Sequence, residues 1–210
     1  MKAAFAILLT LIVTTLTAQD KYTENMVKNI DASYKAQTVD EHQVTANAFE
    51  RIAAAEKTRW EPFYYAAYNY VMMATVETEG AKKDSYLDLA VRNIDQAKAI
   101  KANDSEITAL EGFVHMIRVT VDPMTRGQEY SGKAFRSFST AVALNGENPR
   151  ALMLMGQMQY GTAQFFGTPT TEACSTIQKS IEKFETFKPE SEIAPQWGKA
   201  FAQSLKGNCK

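Results

Sequence analysis

Residues 134–156 read AFRSFSTAVALNGENPRALMLMG and carry the clearest structural pattern of the chain. Small, large and small side chains at spacings of four and three lie on one face of a helix: Ala134, Phe138 and Ala141. Asn148 followed by Pro149 is typical of a helix start, because asparagine caps free backbone N–H groups and proline suits the first helical position. Gly156 then stands where the absence of a side chain lets two helices approach closely. The stretch therefore predicts closely packed helices joined by a short turn.

The same pattern recurs along the chain at a nearly constant spacing. A copy 44 residues upstream keeps the helix face and the later glycine: Ala90, Ile94, Ala97 and Gly112. A further step back has alanine in place of the glycine: Phe49, Ile52, Ala55 and Ala67. A degenerate copy follows near the C-terminus: Ile177, Ile181, Phe184, Phe187 and Gly198. One copy is expected by chance in any alanine-rich helical bundle, but two copies that share a glycine 22 residues later favour an array of α-hairpins.

These residues resemble the tetratricopeptide repeat, most strongly over 84–164. Gly146 stands where that family usually has proline, and the period of 42–45 residues exceeds the family's 34. The segments 124–127 and 148–151 are also similar to exported repeat proteins of Bacteroidetes-type bacteria. The resemblance implies an all-α fold, a TPR-like α-hairpin array (α-α superhelix) with about nine helices. This repeat domain would occupy residues 19–210.

The longer period predicts insertions in the hairpin loops at 77–83 and 122–132. Helix starts are expected near Asp40, where Gln43 completes a capping box, and near Asp84 and Asp104. The predicted helices are 21–36, 41–57, 62–76, 84–101, 105–120, 128–145, 149–164, 171–187 and 191–206. The last helix is expected to cap the core with two inward aromatic residues: Trp197 and Phe201.

The N-terminus reads as a targeting segment. Lys2 precedes an almost uninterrupted apolar run over 3–16, and Ala18 offers a small residue for cleavage. The run is short for a bilayer, which requires about 20 apolar residues, although a membrane anchor is the alternative. We therefore expect a signal peptide over 1–18 and an exported protein, periplasmic or secreted, without a membrane span in the mature chain.

Composition and motifs argue against several classes of function. The formal net charge is −1, so we expect no nucleic acid partner. His42 is expected to be exposed in a first helical turn and His115 to be packed on a helix. Neither histidine has the ligand spacing His-x-x-Glu or His-x-x-x-His of helical metal sites, so we expect no metal site. Nucleophile elbows and phosphate-binding glycine loops are absent from the sequence, so we expect no catalytic residues, no cofactor and no enzyme.

The chain has two cysteines, Cys174 and Cys209. Cys174 falls in the first turn of the predicted helix 171–187, and Cys209 falls just after the helix 191–206. An antiparallel hairpin brings these positions together, so we expect a disulfide in an exported protein. Two unpaired thiols are the alternative.

An aromatic and methionine-rich run over 60–73 is the main binding candidate. In tetratricopeptide arrays the first helix of each hairpin lines the concave face, and the repeat register places eight candidate peptide or ligand contacts there: Tyr64, Tyr68, Met72, Phe113, Met116, Met153, Gln157 and Tyr160. Such a surface suits an apolar partner. The same side chains could instead form buried core.

Two hypotheses of function follow from the sequence. The first is a non-catalytic scaffold of the bacterial cell envelope that binds a protein or peptide of unknown identity. The second is a small-ligand carrier with an apolar pocket lined by the aromatic helix. An open concave face favours the first hypothesis, and a closed pocket favours the second.

Overall fold

The computed structural model describes residues 21–209, and these residues form nine α-helices without a β-strand. The predicted signal peptide, 1–18, lies outside the described residues. The helices are α1 (21–35), α2 (Val39–Ala55), α3 (Glu61–Val76), α4 (Gly80–Ile100), α5 (Ser105–Val121), α6 (Pro123–Leu144), α7 (Pro149–Phe166), α8 (Thr171–Thr186) and α9 (Lys199–Lys206). None of the helices described is both long and apolar enough to cross a membrane.

The helices stack as hairpins in two layers. Consecutive helices from α2 to α9 pack on each other, and α3, α5 and α7 also contact one another side by side. Helix α1 lies against α3, where the Ser33 hydroxyl donates a hydrogen bond to the Asn69 side chain. Helices α1, α3, α5 and α7 therefore form an inner layer, and α2, α4, α6 and α8 form an outer layer. The prediction of an all-α hairpin array is confirmed.

The repeat face is buried as predicted, and the two glycines mark close approaches. Ala134, Phe138 and Ala141 are fully buried. A Cβ on Gly112 would lie 2.4 Å from a ring carbon of Phe138, and one on Gly156 would lie 2.7 Å from the Ile177 side chain. These glycines therefore set the spacing within the α5–α6 and α7–α8 hairpins.

Several predicted boundaries are wrong. The extra residues of the long period do not form loops at 77–83 and 122–132 but lengthen α4 and α6. Helix α6 starts at once because Asp122 caps the N–H of Thr125 and Pro123 occupies the first turn. Residues 191–198 are not helical, so the last helix begins only at Lys199.

The helix caps follow the predictions in part. Asp104 caps α5 and Asn148 caps α7, as expected. Helix α2 instead starts with a capping box formed by Thr38 and Glu41, two residues before the predicted one. Asp84 lies inside α4, where its carboxylate pairs with two arginines of the next hairpin: Arg118 and Arg126.

The predicted disulfide is confirmed. Cys174 and Cys209 are joined with an S–S distance of 2.07 Å and a Cα–Cα distance of 5.6 Å. The bond ties the chain after α9 to the first turn of α8. It therefore closes the C-terminal end of the array, where a stack of hairpins has a neighbour on only one side.

We expect the variant Gly112→Ala to lose about 1–3 kcal/mol of stability, because the added methyl group overlaps the Phe138 ring. Gly127→Ala is the matched control, since a Cβ there meets nothing within 4 Å and alanine favours a helix. Urea unfolding followed by circular dichroism measures both. Equal stability of the two variants would contradict the close approach.

We expect reduction of the disulfide to lower the free energy of unfolding by about 3–4 kcal/mol, because the bond closes a loop of 35 residues. Thermal unfolding with and without a reductant measures the change. The double variant Cys174→Ser/Cys209→Ser should unfold like the reduced protein and ignore the reductant. Unchanged stability of the fully reduced protein would show that the bond does not support the fold.

Candidate ligand-binding face

The inner layer carries the candidate site, and the chain itself crosses it. Residues 187–198, here called the strap, connect α8 to α9 without helical structure. Pro189 and Pro195 lack backbone N–H groups and so disfavour a helix across this segment. Gly198 has a φ of 105°, a left-handed conformation that turns the chain into α9.

Hydrogen bonds join the strap to three tyrosines of α1 and α3. The Tyr65 hydroxyl donates to the Ile193 carbonyl at 3.1 Å. The Gln196 N–H donates to the Tyr34 hydroxyl at 3.1 Å, and the Trp197 indole N–H donates to the Tyr64 hydroxyl at 3.0 Å. The Tyr34 and Tyr65 hydroxyls also bond to each other at 3.2 Å, so the strap extends this hydrogen-bonded pair and adds a separate partner for the Tyr64 hydroxyl.

Aromatic rings fill the space under the strap. The Trp197 ring contacts two rings of the inner layer, with centroid distances of 5.1 Å to Tyr68 and 6.2 Å to Phe113. The interplanar angle is 37° with Tyr68, a tilted contact, and 25° with Phe113, a stacked contact. Tyr34 meets Tyr68 edge to face at 6.2 Å.

The eight predicted contact residues divide into two groups. Tyr64, Tyr68, Phe113 and Met153 are buried, the first three against the strap and Met153 against Gly198. The other four continue the inner face about one or two turns further along the same helices: Met72, Met116, Gln157 and Tyr160. Three of these are half-buried, and Met116 is 6% exposed. The first group thus fits the alternative that these side chains form buried core. The role of the eight residues as peptide or ligand contacts stays a prediction.

Two members of the second group, Gln157 and Tyr160, have polar side-chain groups. The Gln157 side-chain oxygen is buried and has no hydrogen-bond partner within residues 21–209. The Tyr160 hydroxyl donates to the Asn208 carbonyl at 3.3 Å, which places the chain after α9 beside α7.

Trp197 was expected on the last helix but lies in the strap, and Phe201 is 43% exposed rather than inward-facing.

A buried ion pair lies beneath the strap. The Arg150 guanidinium is fully buried and donates two hydrogen bonds to the Glu106 carboxylate, at 2.8 and 2.6 Å. The third guanidinium nitrogen lies 3.5 Å from the Trp197 carbonyl oxygen. The central guanidinium carbon, Cζ, lies 4.4 Å from the centroid of the Phe187 ring. Burial raises the pKa of Glu106, while the hydrogen bonds from Arg150 oppose that shift. The pair links α5, α7 and both ends of the strap.

Sequence reasoning missed this pair, although the repeat period contains the information. Glu106 and Arg150 are 44 residues apart, one full period, and both occupy the second position of an inner helix. Ser105 and Asn148, 43 residues apart, are also hydrogen-bonded at 2.9 Å. Equivalent positions of neighbouring hairpins lie side by side in a stack. Searching for opposite charges one period apart would have found the pair.

The histidines lie away from the inner face. His42 was expected to be exposed, but it is 1% exposed and its Nδ1 lies 2.8 Å from the Asn69 side-chain oxygen. His115 packs beside Tyr130 of α6, with ring centroids 6.1 Å apart, and burial lowers its pKa. In the region the structure covers, no three histidine, cysteine or acidic side chains are grouped as a metal site requires.

A second apolar surface lies at the far end of α7. Phe165 and Phe166 are 61% and 70% exposed and contact each other edge to face. Residues 151–171 contain no charged side chain. Phe165 is 15 residues from Arg150 along the helix, which is about 22 Å. These phenylalanines are therefore separate from the strap.

The fold can now be compared with known proteins. No family model matches the chain, and no curated protein is significantly similar to it in sequence. Among solved structures the chain matches a haemophore, with a TM-score of 0.82 and 28% sequence identity. That protein is HusA from Porphyromonas gingivalis, and the match covers 90% of this chain and 92% of HusA. The likeness supports the all-α fold over most of the chain, whereas membership of the tetratricopeptide family stays a prediction.

We expect the protein to unfold as pH rises above about 10, the ordinary pKa of tyrosine. Burial raises the pKa of Tyr34, Tyr64, Tyr65 and Tyr68 above that value. Their stabilising effect is complete below pH 10 and is lost at higher pH, because only the unfolded chain releases these protons. Each tyrosine then costs about 1.4 kcal/mol per pH unit.

An alkaline titration followed by circular dichroism and by tyrosinate absorbance measures the loss of helix and the ionisation of the tyrosines in one sample. Helix loss and the ionisation of the buried tyrosines should occur in one transition. Complete tyrosine ionisation in a protein that keeps its helices would contradict the burial of the cluster.

Proposed function

We propose that this protein is a non-catalytic carrier of a small, flat and largely apolar ligand of the haem class. The observation that carries the proposal is the likeness to the HusA haemophore, at 28% identity over 90% of the chain. This level of identity over nearly the full length supports more than a shared architecture. The proposal corresponds to the second of the two functions expected from the sequence.

The chemistry of the inner face supports a ligand of this kind. Tyr68 and Phe113 carry aromatic rings that already pack against the flat Trp197 ring, and Met72 and Met116 add polarisable thioethers one turn away. Flat conjugated ligands gain contact area and offset stacking from such a lining.

The strap weakens the hypothesis of a peptide-binding scaffold. An extended peptide needs a continuous groove along the inner layer, and residues 193–197 already lie across its aromatic part. A compact ligand needs only one local opening. The position of the strap therefore favours the carrier function over the peptide-binding scaffold.

Export is part of the same proposal. The disulfide between Cys174 and Cys209 supports an oxidising compartment, as expected for an exported protein. An exported carrier acts where it meets ligands released outside the cytoplasm, in the periplasm or beyond the cell. The absence of catalytic function remains an expectation from the sequence.

Among the described residues the inner face offers thioethers at Met72 and Met116 but no accessible histidine or ionised phenol, so we expect the ring of the ligand to contribute more than an iron atom. His42 is buried in a hydrogen-bonded cluster, and His115 faces α6. The raised pKa values of Tyr64 and Tyr65 keep these phenols protonated, and a neutral phenol is a weak ligand for iron. The ring system therefore supplies most of the contact.

We expect haemin and metal-free protoporphyrin to bind with dissociation constants within about threefold of each other, a difference of less than 1 kcal/mol. Absorbance titration in the Soret region measures both constants, and thermal unfolding should show stabilisation by each ligand. The variant Phe165→Ala/Phe166→Ala is the control and should bind like the wild type. Binding of haemin alone would indicate iron ligation, and binding of neither would overturn the carrier proposal.

A further inference from the structure

We infer that the ligand site is the slot between Tyr68 and Phe113, and that Trp197 fills this slot until the ligand displaces the strap. The inference rests on the proposed carrier function and specifies where the ligand binds and what it must carry.

Trp197 occupies the slot as a flat aromatic ligand would. Its ring lies within 5.1 Å of Tyr68 and 6.2 Å of Phe113, nearly parallel to Phe113. Its indole N–H makes one polar contact at the edge of the slot, to the Tyr64 hydroxyl. A flat heteroaromatic ring with a polar edge is thus the chemistry that the slot already accepts.

The strap is held more weakly than the helices around it. Its side chains from 188 to 192 are exposed, and only Ile193 and Pro195 among its residues are buried. Its backbone is fastened to the inner layer by two hydrogen bonds with tyrosine hydroxyls and by a long one of 3.5 Å from Arg150, all of which water can replace. Segments with few buried contacts open at lower free energy than the whole fold.

The ends of the strap are anchored, so it can open without unfolding its neighbours. On one side Phe187 follows α8, and on the other the disulfide holds the chain after α9 to the start of α8. Gly198 provides a left-handed turn directly before α9, where other residues would be strained. The strap is therefore a closed loop of 12 residues over the slot.

Opening the strap releases two hydrogen-bond donors at the edge of the slot. The Tyr65 hydroxyl loses the Ile193 carbonyl, and an Arg150 nitrogen loses the Trp197 carbonyl. Both donors suit a carboxylate, and a bond from a charged donor is the stronger kind. The slot therefore fits a flat conjugated ligand that carries acidic groups along one edge.

The first experiment compares Trp197→Ala with Phe165→Ala/Phe166→Ala, which removes exposed aromatic rings far from the slot. If Trp197 competes with the ligand, its removal should tighten protoporphyrin binding about tenfold, because a larger fraction of molecules is open. The control variant should stay within about twofold of the wild type, because it leaves the strap unchanged. Weaker or unchanged binding by Trp197→Ala would overturn the inference.

The second experiment uses the wild-type protein and needs no variant to fold. Hydrogen–deuterium exchange with mass spectrometry should show faster exchange in residues 187–198 when protoporphyrin is bound, and slower exchange around Tyr68 and Phe113. Protection of the strap by the ligand would overturn displacement while leaving the carrier function intact. Failure of every porphyrin to bind would overturn both proposals.

The third experiment tests whether the carboxylates of the ligand are recognised. Protoporphyrin dimethyl ester keeps the ring and lacks the carboxylates, so we expect it to bind about tenfold more weakly than the diacid. Equal binding of the diacid and the diester would show that Tyr65 and Arg150 do not recognise the ligand.

Discussion

The buried pair of Arg150 and Glu106 connects the repeat array to the strap. Each residue lies in the first turn of an inner helix, so their two hydrogen bonds hold α5 and α7 in register. The same guanidinium faces the Phe187 ring and the Trp197 carbonyl, near the two ends of the strap. Loss of one partner would leave a buried charge unpaired, at a cost of about 3–5 kcal/mol. The pair therefore specifies how the strap sits more than it adds net stability.

The repeat, the helix faces and the disulfide could be predicted because each depends on local spacing. Small and large side chains recur with the helical period, and Gly112 marks the close approach that such packing demands. The cysteines follow once α8 and α9 are placed as neighbours. The helix boundaries around 122 were less predictable, since glycines at 127 and 132 suggest a loop, yet both are half-buried inside α6 with open space or only the Arg136 side chain beside them.

The strap could not be predicted, because its structure depends on distant partners. Trp197 and Phe201 have helical spacing, which favours one helix over 191–206. Tertiary contacts decide otherwise: Trp197 bonds to Tyr64, 133 residues away, and Tyr65 bonds to Ile193 across 128 residues. Local patterns carry no information about such pairs. The sequence therefore identified the helices that form the candidate site but not the strap that covers them.

Filling the slot with Trp197 reconciles stability with ligand capture. An open aromatic slot would expose Tyr68 and Phe113 and leave the Tyr64 hydroxyl without the Trp197 indole N–H. Exposed apolar surface of that kind favours aggregation. Under the proposed displacement, Trp197 removes this surface from water at the expense of ligand affinity, because each binding event must first displace it. The free energy of strap closure would then set the affinity of the proposed carrier. The same competition would help to release the ligand, since the strap returns as the ligand leaves.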